Sequence, residues 1–133
     1  MKFLLDTHAF LWTIAGSGNI PAATQALLRN PDNEVFVSAV SLWEIAIKAR
    51  LGKLHLGSIH PDELIGLAGQ MGMTLLGLAP EEAASYGKLE EDSHFDPFDR
   101  MLIWQAICRR MTMVSKDAEF RKFIPHGLTL QWA

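Results

Sequence analysis

The stretch Lys2–Trp12, KFLLDTHAFLW, contains the pattern that decides the fold: an apolar run, an acid and then a helical pattern. The run KFLL is typical of a short buried strand. The residues after it, THAFLWTIA, are typical of a helix that Asp6 or Thr7 could cap. The rest of the chain repeats this order of strand, polar turn and helix. Because strands that alternate with helices form parallel sheets covered on both faces, we predict an α/β domain.

The remaining elements follow from apolar runs and from the residues that start and stop helices. Four further strands are predicted at VFV, MTLLGL, TMV and LTLQW. Further helices are predicted at AATQALLRN after Pro21, from Ser38 to about Arg50, at DELIGLAG after Pro61, at EEAASYGKL after Pro80, at FDRMLIWQAICRR and at DAEFRKF. Asp96 is expected to cap the helix that Pro97 begins. With no repeat and no interdomain linker, residues 1–133 are predicted to form a single domain.

Composition restricts the possible functions. The formal net charge of −3 excludes a protein that grips DNA through phosphate contacts alone, although a cluster of metal-binding acids would itself lower the charge. The only cysteine, Cys108, lies in the apolar run MLIWQAIC and is expected in the core. One cysteine cannot form an internal disulfide, which fits a reducing compartment, so we expect a cytoplasmic protein. No stretch reaches the roughly 20 uncharged apolar residues of a membrane span.

Four carboxylates share one position relative to the predicted elements. Asp6 follows the first strand and Asp117 follows the fourth, while Glu44 lies in the second turn of one helix and Asp99 in the first turn of another. All four therefore fall at the carboxyl edge of the sheet, where open α/β proteins bind ligands. Carboxylates that meet there would repel one another unless a cation neutralised them. The pattern thus predicts a divalent-metal site.

Each acid also has a purely structural interpretation. Asp6 and Asp117 could cap the helices that follow them, and Asp99 lies where a helix dipole favours acids. Glu44 is spaced to pair with Lys48. It lies in a mostly apolar helix, however, where a charge is either functional or costly.

The residue types favour particular metals and a particular chemistry. The chain has no paired cysteines and no histidines at metal-binding spacing, and all-oxygen sites select Mg²⁺ or Mn²⁺ over zinc. Such an ion lowers the pKa of a bound water and stabilises charge on a phosphoryl group, so a phosphodiester is the natural substrate. His94 is interpreted as a residue of a polar loop, because nothing near it in sequence orients it as a base.

Four segments together resemble PIN-domain ribonucleases of the VapC toxin type: LLDTHAFLW, VSAVSLWEIAIKARLGKL, HFDPFDRMLIWQA and TMVSKDAEF with LTLQWA. The resemblance spans nearly the whole chain in the right order. It implies a three-layer α/β/α fold with a five-stranded parallel sheet. It also implies an endoribonuclease that hydrolyses RNA with a metal-activated water, using Mg²⁺ or Mn²⁺. Toxins of this type are held inactive by a cognate antitoxin protein and form homodimers or toxin–antitoxin hetero-oligomers.

The resemblance also assigns roles to particular residues. It implies a catalytic and metal-binding quartet of Asp6, Glu44, Asp99 and Asp117, with Asp6 and Asp99 as the principal ligands. Glu44 would bind metal or orient a water, and Asp117 would complete the site. Ser115 stands where many relatives have threonine, a small departure that keeps the hydroxyl. Three residues are candidates to contact the substrate or the acids: Thr7, Arg100 and Ser115.

Four other functions are conceivable for an α/β domain with acids at its strand ends. A phospho-acceptor signalling module needs an acid after the middle strand, where MTLLGLAP has none. A haloacid-type phosphatase needs a D-x-D motif, where this chain has Asp6-Thr7-His8. A PIN-domain nuclease that processes RNA without being a toxin, or a non-catalytic domain, stays open.

Several further residues could bind RNA or a partner, but most have a structural interpretation. The basic candidates are Lys48, Arg50, Lys53, Arg100 and Lys116. Three tryptophans, Trp12, Trp43 and Trp104, could stack on bases, although core packing is the favoured interpretation. The apolar faces of HPDELIGLAG and AATQALLRN could pack on an antitoxin or a second protomer, but burial in the domain's own core is favoured.

Overall fold

A five-stranded parallel sheet forms the centre of the protein, as seen in a computed structural model that describes residues 1–133. The strands are β1 (Lys2–Leu5), β2 (Glu34–Ser38), β3 (Thr74–Leu76), β4 (Thr112–Val114) and β5 (Thr129–Gln131). Their order is β3-β2-β1-β4-β5, and every neighbouring pair is parallel. The five predicted strands are confirmed, with MTLLGL and LTLQW each reduced to a strand of three residues.

The predicted helices are confirmed, mostly to within a residue or two. They are α1 (Thr7–Ala15), α2 (Ala22–Arg29), α3 (Ala39–Arg50), α4 (Leu64–Gln70), α5 (Pro80–Ser85) and α6 (Pro97–Arg109). Short 3₁₀ segments, Pro61–Glu63 and Tyr86–Lys88, adjoin α4 and α5. The helix predicted at DAEFRKF is a 3₁₀ segment, Ala118–His126, with Pro125 inside it. Proline lacks the N–H that a regular α-helix would require there.

Alternation along the strands produces a core on each face of the sheet. Phe3 and Leu5 of β1 pack on one face with α1, α3 and α4, whereas Leu4 packs on the other with α6 and the 3₁₀ segment after β4. All three side chains are fully buried. The result is the three-layer α/β/α arrangement. Leu28 of α2 and Leu64 of α4 pack against this core, as favoured from the sequence, whereas Ile65 of α4 is exposed.

Side-chain caps fix where the helices at the site begin. The Asp6 carboxylate accepts a hydrogen bond of 2.8 Å from the Ala9 N–H, and the Asp96 carboxylate accepts from Phe98 and Asp99. The Asp117 carboxylate accepts from the Glu119 N–H at 2.9 Å. The capping roles foreseen for these acids are therefore real, and they hold each carboxyl group close to the edge of the sheet.

The core position expected for Cys108 is wrong, because its side chain is exposed. Helix α6 is apolar nearly all round, but only one side of it faces the sheet, and Cys108 in its last turn lies on the other. None of the helices combines the length and the apolar character that a membrane crossing would need.

Candidate functional site

The site lies at the carboxyl edge of the sheet, where β1 and β4 end side by side. The ladder continues one step past β1, because the Asp6 N–H donates to the Val114 carbonyl at 3.1 Å. This contact places Asp6 beside the loop that carries Asp117. Three of the four predicted acids line one cavity of about 310 Å³, whose lining is Asp6, His8, Trp12, Asp99, Lys116 and Asp117.

Asp6 is the most deeply placed of these acids, with 5% of its surface exposed. Burial raises the pKa of the Asp6 carboxyl, and the nearby charge of Asp117 raises it further. The Ser115 hydroxyl, the Ala9 N–H and the charge of His8 act in the opposite direction. The net rise means that the negative charge of Asp6 is poorly compensated by the protein.

The carboxyl of Asp99, which also lines the cavity, likewise has a raised pKa. Burial, followed by repulsion from Asp96, raises the pKa of its carboxyl to about 6, with Glu44 adding to the rise. His94 limits the rise through a 3.0 Å contact between its Nε2 and Asp99 Oδ2. A buried acid with like charges around it favours a proton or a cation as its partner.

Glu44 is buried beside Asp99 but does not line the cavity. One oxygen accepts a 2.6 Å hydrogen bond from the Thr7 hydroxyl, and the other pairs with Lys48. The i,i+4 pair foreseen with Lys48 is therefore present. Thr7 is buried and contacts an acid of the cluster, one of the two roles considered for it.

Ser115 connects two of the acids. It is 4% exposed, and its Oγ accepts a hydrogen bond of 3.1 Å from the Asp117 N–H. Its hydroxyl also hydrogen-bonds the Asp6 carboxyl, which limits the rise in the pKa of Asp6. The contact of Ser115 with the acids agrees with one of the roles considered for it.

Arg100, a candidate to bind RNA, is engaged within the protein. Its guanidinium is buried and donates to the Tyr86 hydroxyl at 3.0 Å and to three backbone carbonyls, those of Leu89, Glu91 and His94. Four of the five guanidinium N–H donors are thus engaged within the protein. Arg100 instead attaches the segment before α6 to α6 itself.

His94 lies in a loop, as expected, but the expectation that nothing orients its ring is wrong. Besides its contact with Asp99, the imidazole packs edge-on against Phe120 and Phe123, with ring centroids 5.9 and 6.0 Å away. Those rings come from a segment more than 20 residues later in the chain. No local sequence signal could have shown that they orient His94.

The three tryptophans have different environments. Trp104 packs on the core and donates its indole N–H to Ser85 at 3.0 Å, as favoured. Trp43 is 62% exposed, so the core position favoured for it is wrong. Its ring instead packs edge-on against Phe98 of α6. Trp12 is half-buried and forms one wall of the acidic cavity.

The donor set fits a hard divalent cation. Asp6, Asp99 and Asp117 offer only carboxylate oxygens to the cavity, and Mg²⁺ and Mn²⁺ prefer such ligands. No three carboxylate, imidazole or thiol groups lie close enough together to hold an ion by themselves. Mg²⁺ does not require three, since it commonly keeps several waters and binds through one or two carboxylates. Burial raises the pKa values of Asp6 and Asp99, so a cation bound in the cavity would stabilise their ionised forms.

Comparison with known proteins assigns this arrangement to a family. The sequence pattern of the PIN domain matches residues 3–124. The chain belongs to the PIN domain family. Ribonuclease VapC22 of Mycobacterium tuberculosis (strain ATCC 25618 / H37Rv) is 29% identical over 118 residues, which cover 89% of this chain and 88% of that protein.

Solved structures confirm the PIN fold over the full length of the chain. The complex VapBC2 from Rickettsia felis, bound to a DNA fragment from its promoter, contains a chain with a TM-score of 0.71 and 18% identity that covers 100% of both chains. DNA-bound VapBC from Salmonella typhimurium contains one with a TM-score of 0.68 and 19% identity, covering 98% of this chain and 97% of the other. The five-stranded parallel sheet and its flanking helices are thus those of a PIN domain.

Proposed function

We propose that this PIN-domain chain is an endoribonuclease that hydrolyses RNA phosphodiester bonds with Mg²⁺ or Mn²⁺. The observation that carries the proposal is the cavity in which Asp6, Asp99 and Asp117 converge, two of them with raised pKa values. A buried cluster of undercompensated carboxylates favours a divalent cation. The similarity to a protein named a ribonuclease supports RNA as the substrate.

In this proposal the chain's own residues have distinct roles. Asp6 and Asp99 would be the principal ligands of the ion, and Asp117 would complete its coordination directly or through water. When bound, the metal would lower the pKa of a water and stabilise charge on the phosphoryl group. Glu44 adds negative charge beside Asp99, and the Thr7 hydroxyl fixes its orientation.

A cleavage assay tests the catalytic assignment. The purified chain should cut single-stranded RNA in Mg²⁺ or Mn²⁺ and stop when EDTA is added. Asp99→Asn should reduce the rate at least a hundredfold without changing the circular dichroism spectrum. The matched control is Asp32→Asn, because Asp32 is an exposed acid that does not line the cavity. Full activity in Asp99→Asn, or in EDTA, would refute the proposed site.

We further propose that the chain is the toxin of a toxin–antitoxin pair. The support is its similarity in sequence to a VapC ribonuclease and in fold to chains of VapBC complexes. The expected partners are a cognate antitoxin protein and a second copy of the chain.

Induction in cells tests the biological role. The parent chain should arrest growth, Asp99→Asn should not, and co-expression of a cognate antitoxin should restore growth. RNA cleavage in vitro without growth arrest would indicate an RNA-processing nuclease instead of a toxin.

A further inference from the structure

Besides its carboxylates, the acidic cavity is lined by three residues to which the proposed metal site gives no role. They are His8, Trp12 and Lys116, called here the aromatic wall, and Trp12 is the only hydrophobic residue of the cavity. His8 and Trp12 lie four residues apart on α1 and therefore share one face of the helix. Their ring centroids are 5.9 Å apart. The aromatic wall begins two residues after Asp6, on the same helix that Asp6 caps.

Lys116 is placed against Trp12 and not against the acids. Its Nζ lies 5.9 Å from the centre of the Trp12 ring. No carboxylate lies within ion-pair distance of Lys116, although Asp117 follows it directly and three acids line the same cavity. The exposed ammonium group is therefore available for an anion that enters the cavity.

The indole of Trp12 also contacts a second tryptophan, near the end of the chain. Trp132 packs against it with ring centroids 5.8 Å apart. The backbone carbonyl of Trp132 in turn accepts a hydrogen bond from the buried Thr24 hydroxyl of α2. A ring fixed in this way presents a flat face without losing side-chain entropy when a ligand stacks on it.

We infer that Trp12 and Lys116 hold the nucleotide next to the scissile phosphate, with its base stacked on the indole and a flanking phosphate paired with the ammonium. The inference rests on the proposed nuclease function and adds substrate-positioning residues to it. A ligand with both a flat ring and a negative charge matches this wall, and a nucleotide has both. A cavity of about 310 Å³ is at the lower end of the range for ligand sites, which fits one nucleotide. A base can reach Trp12 only when it is unstacked, so the wall favours single strands.

The test measures affinity for a fluorescent single-stranded oligoribonucleotide, with Asp99→Asn in every protein so that the RNA is not cut. Adding Trp12→Ala should weaken binding about fivefold to a hundredfold, the usual effect of removing one base-stacking ring, whereas Trp12→Phe should retain most of it. Adding Lys116→Ala should weaken binding and reduce the slope of log affinity against log salt by about 0.7, as for one lost phosphate contact. The controls are Trp43→Ala, an exposed tryptophan outside the cavity, and Lys2→Ala, at the opposite edge of the sheet.

A second measurement changes the RNA instead of the protein, so it remains valid if Trp12→Ala folds poorly. Abasic sites are introduced one position at a time into the oligonucleotide. An abasic site at one position should weaken binding to the protein that has Trp12. The same abasic site should have no effect on the affinity of Trp12→Ala and a smaller effect on that of Trp12→Phe. Equal affinity of Trp12→Ala, or the same abasic profile in all variants, would overturn the inference.

The two possible failures are distinguishable. If the parent chain cleaves RNA but abasic sites and Trp12 variants have no effect on binding, the nuclease assignment stands and the inference about the wall is wrong. If the parent neither cleaves nor binds RNA, both are wrong.

Discussion

At the carboxyl edge of the sheet, a few side chains carry charges that the fold balances only in part. Asp99 illustrates this, since burial and the neighbouring acids raise its pKa to about 6, and His94 compensates only in part. A divalent cation would supply the missing charge. Metal binding should therefore affect the stability of the protein as well as its activity.

We expect Mn²⁺ to stabilise the parent chain and to have much less effect on Asp99→Asn. A ligand that binds only the folded state adds about 2.7 kcal/mol at a hundred times its Kd. Thermal unfolding with increasing Mn²⁺, followed by circular dichroism, measures this. Asp32→Asn should respond like the parent. An equal rise in melting temperature in Asp99→Asn would show that the ion binds elsewhere.

A second residue-scale prediction concerns Arg100, whose buried guanidinium donates to one hydroxyl and three carbonyls. Removing it leaves those acceptors without partners, so Arg100→Ala should destabilise the fold by about 3 kcal/mol. Arg100→Lys should recover little, because an ammonium cannot reproduce the planar fork of donors. Urea unfolding measures both. The control is the exposed Arg50→Ala, which should change stability by less than about 0.5 kcal/mol.

At the scale of elements, a buried polar network joins α5 to α6 and to the end of β2. Glu82 accepts hydrogen bonds from Arg109 at 2.7 and 2.9 Å and from Gln105 at 3.2 Å. Gln105 in turn accepts from the Ser38 hydroxyl at 2.6 Å. These contacts fix the position of α6 relative to the sheet, and α6 carries Asp99.

This network predicts a pH dependence of stability. Burial acts to raise the pKa of Glu82, but the hydrogen bonds from Arg109, the Ala79 N–H and Gln105 outweigh it and lower the pKa below the ordinary value of 4.5. A carboxyl whose folded pKa is lowered stabilises the fold above its unfolded pKa, and this contribution disappears as pH falls through the folded pKa. Glu82→Gln should therefore be less stable than the parent by about 2 kcal/mol at pH 7.

The difference between Glu82→Gln and the parent should shrink as the pH falls below 4.5. Urea unfolding at several pH values measures it, with the exposed neighbour Glu81→Gln as the control. A difference that does not depend on pH would show that packing, not charge, accounts for the loss.

At the scale of the whole molecule, stability should decrease from the centre of the sheet to its edges. β1 is central, paired on both sides by β2 and β4, and its side chains Phe3, Leu4 and Leu5 are fully buried. The edge strands β3 and β5 are short and partly exposed. The acids at the end of β1 are thus attached to the most protected part of the fold.

Native-state hydrogen exchange should show this gradient. The backbone N–H groups of β1 and β4 should exchange slowest, and those of β3 and β5 should exchange earlier through local opening. Mass spectrometry of peptic fragments measures the order. Equal protection in β1 and β5 would contradict it.

The sequence alone determined the elements and the position of the acids relative to them. Alternating apolar patterns, prolines and capping residues are local signals, so the strand KFLL, the cap at Asp6 and the helix after Pro97 could be recognised without a structure. Only the tertiary structure decided which side chains meet. The adjacency of β1 and β4, the engagement of Arg100 and the orientation of His94 by Phe120 all depend on contacts between residues distant in sequence. The apolar composition of α6 could not show which of its sides faces the sheet, and for that reason Cys108 was expected in the core.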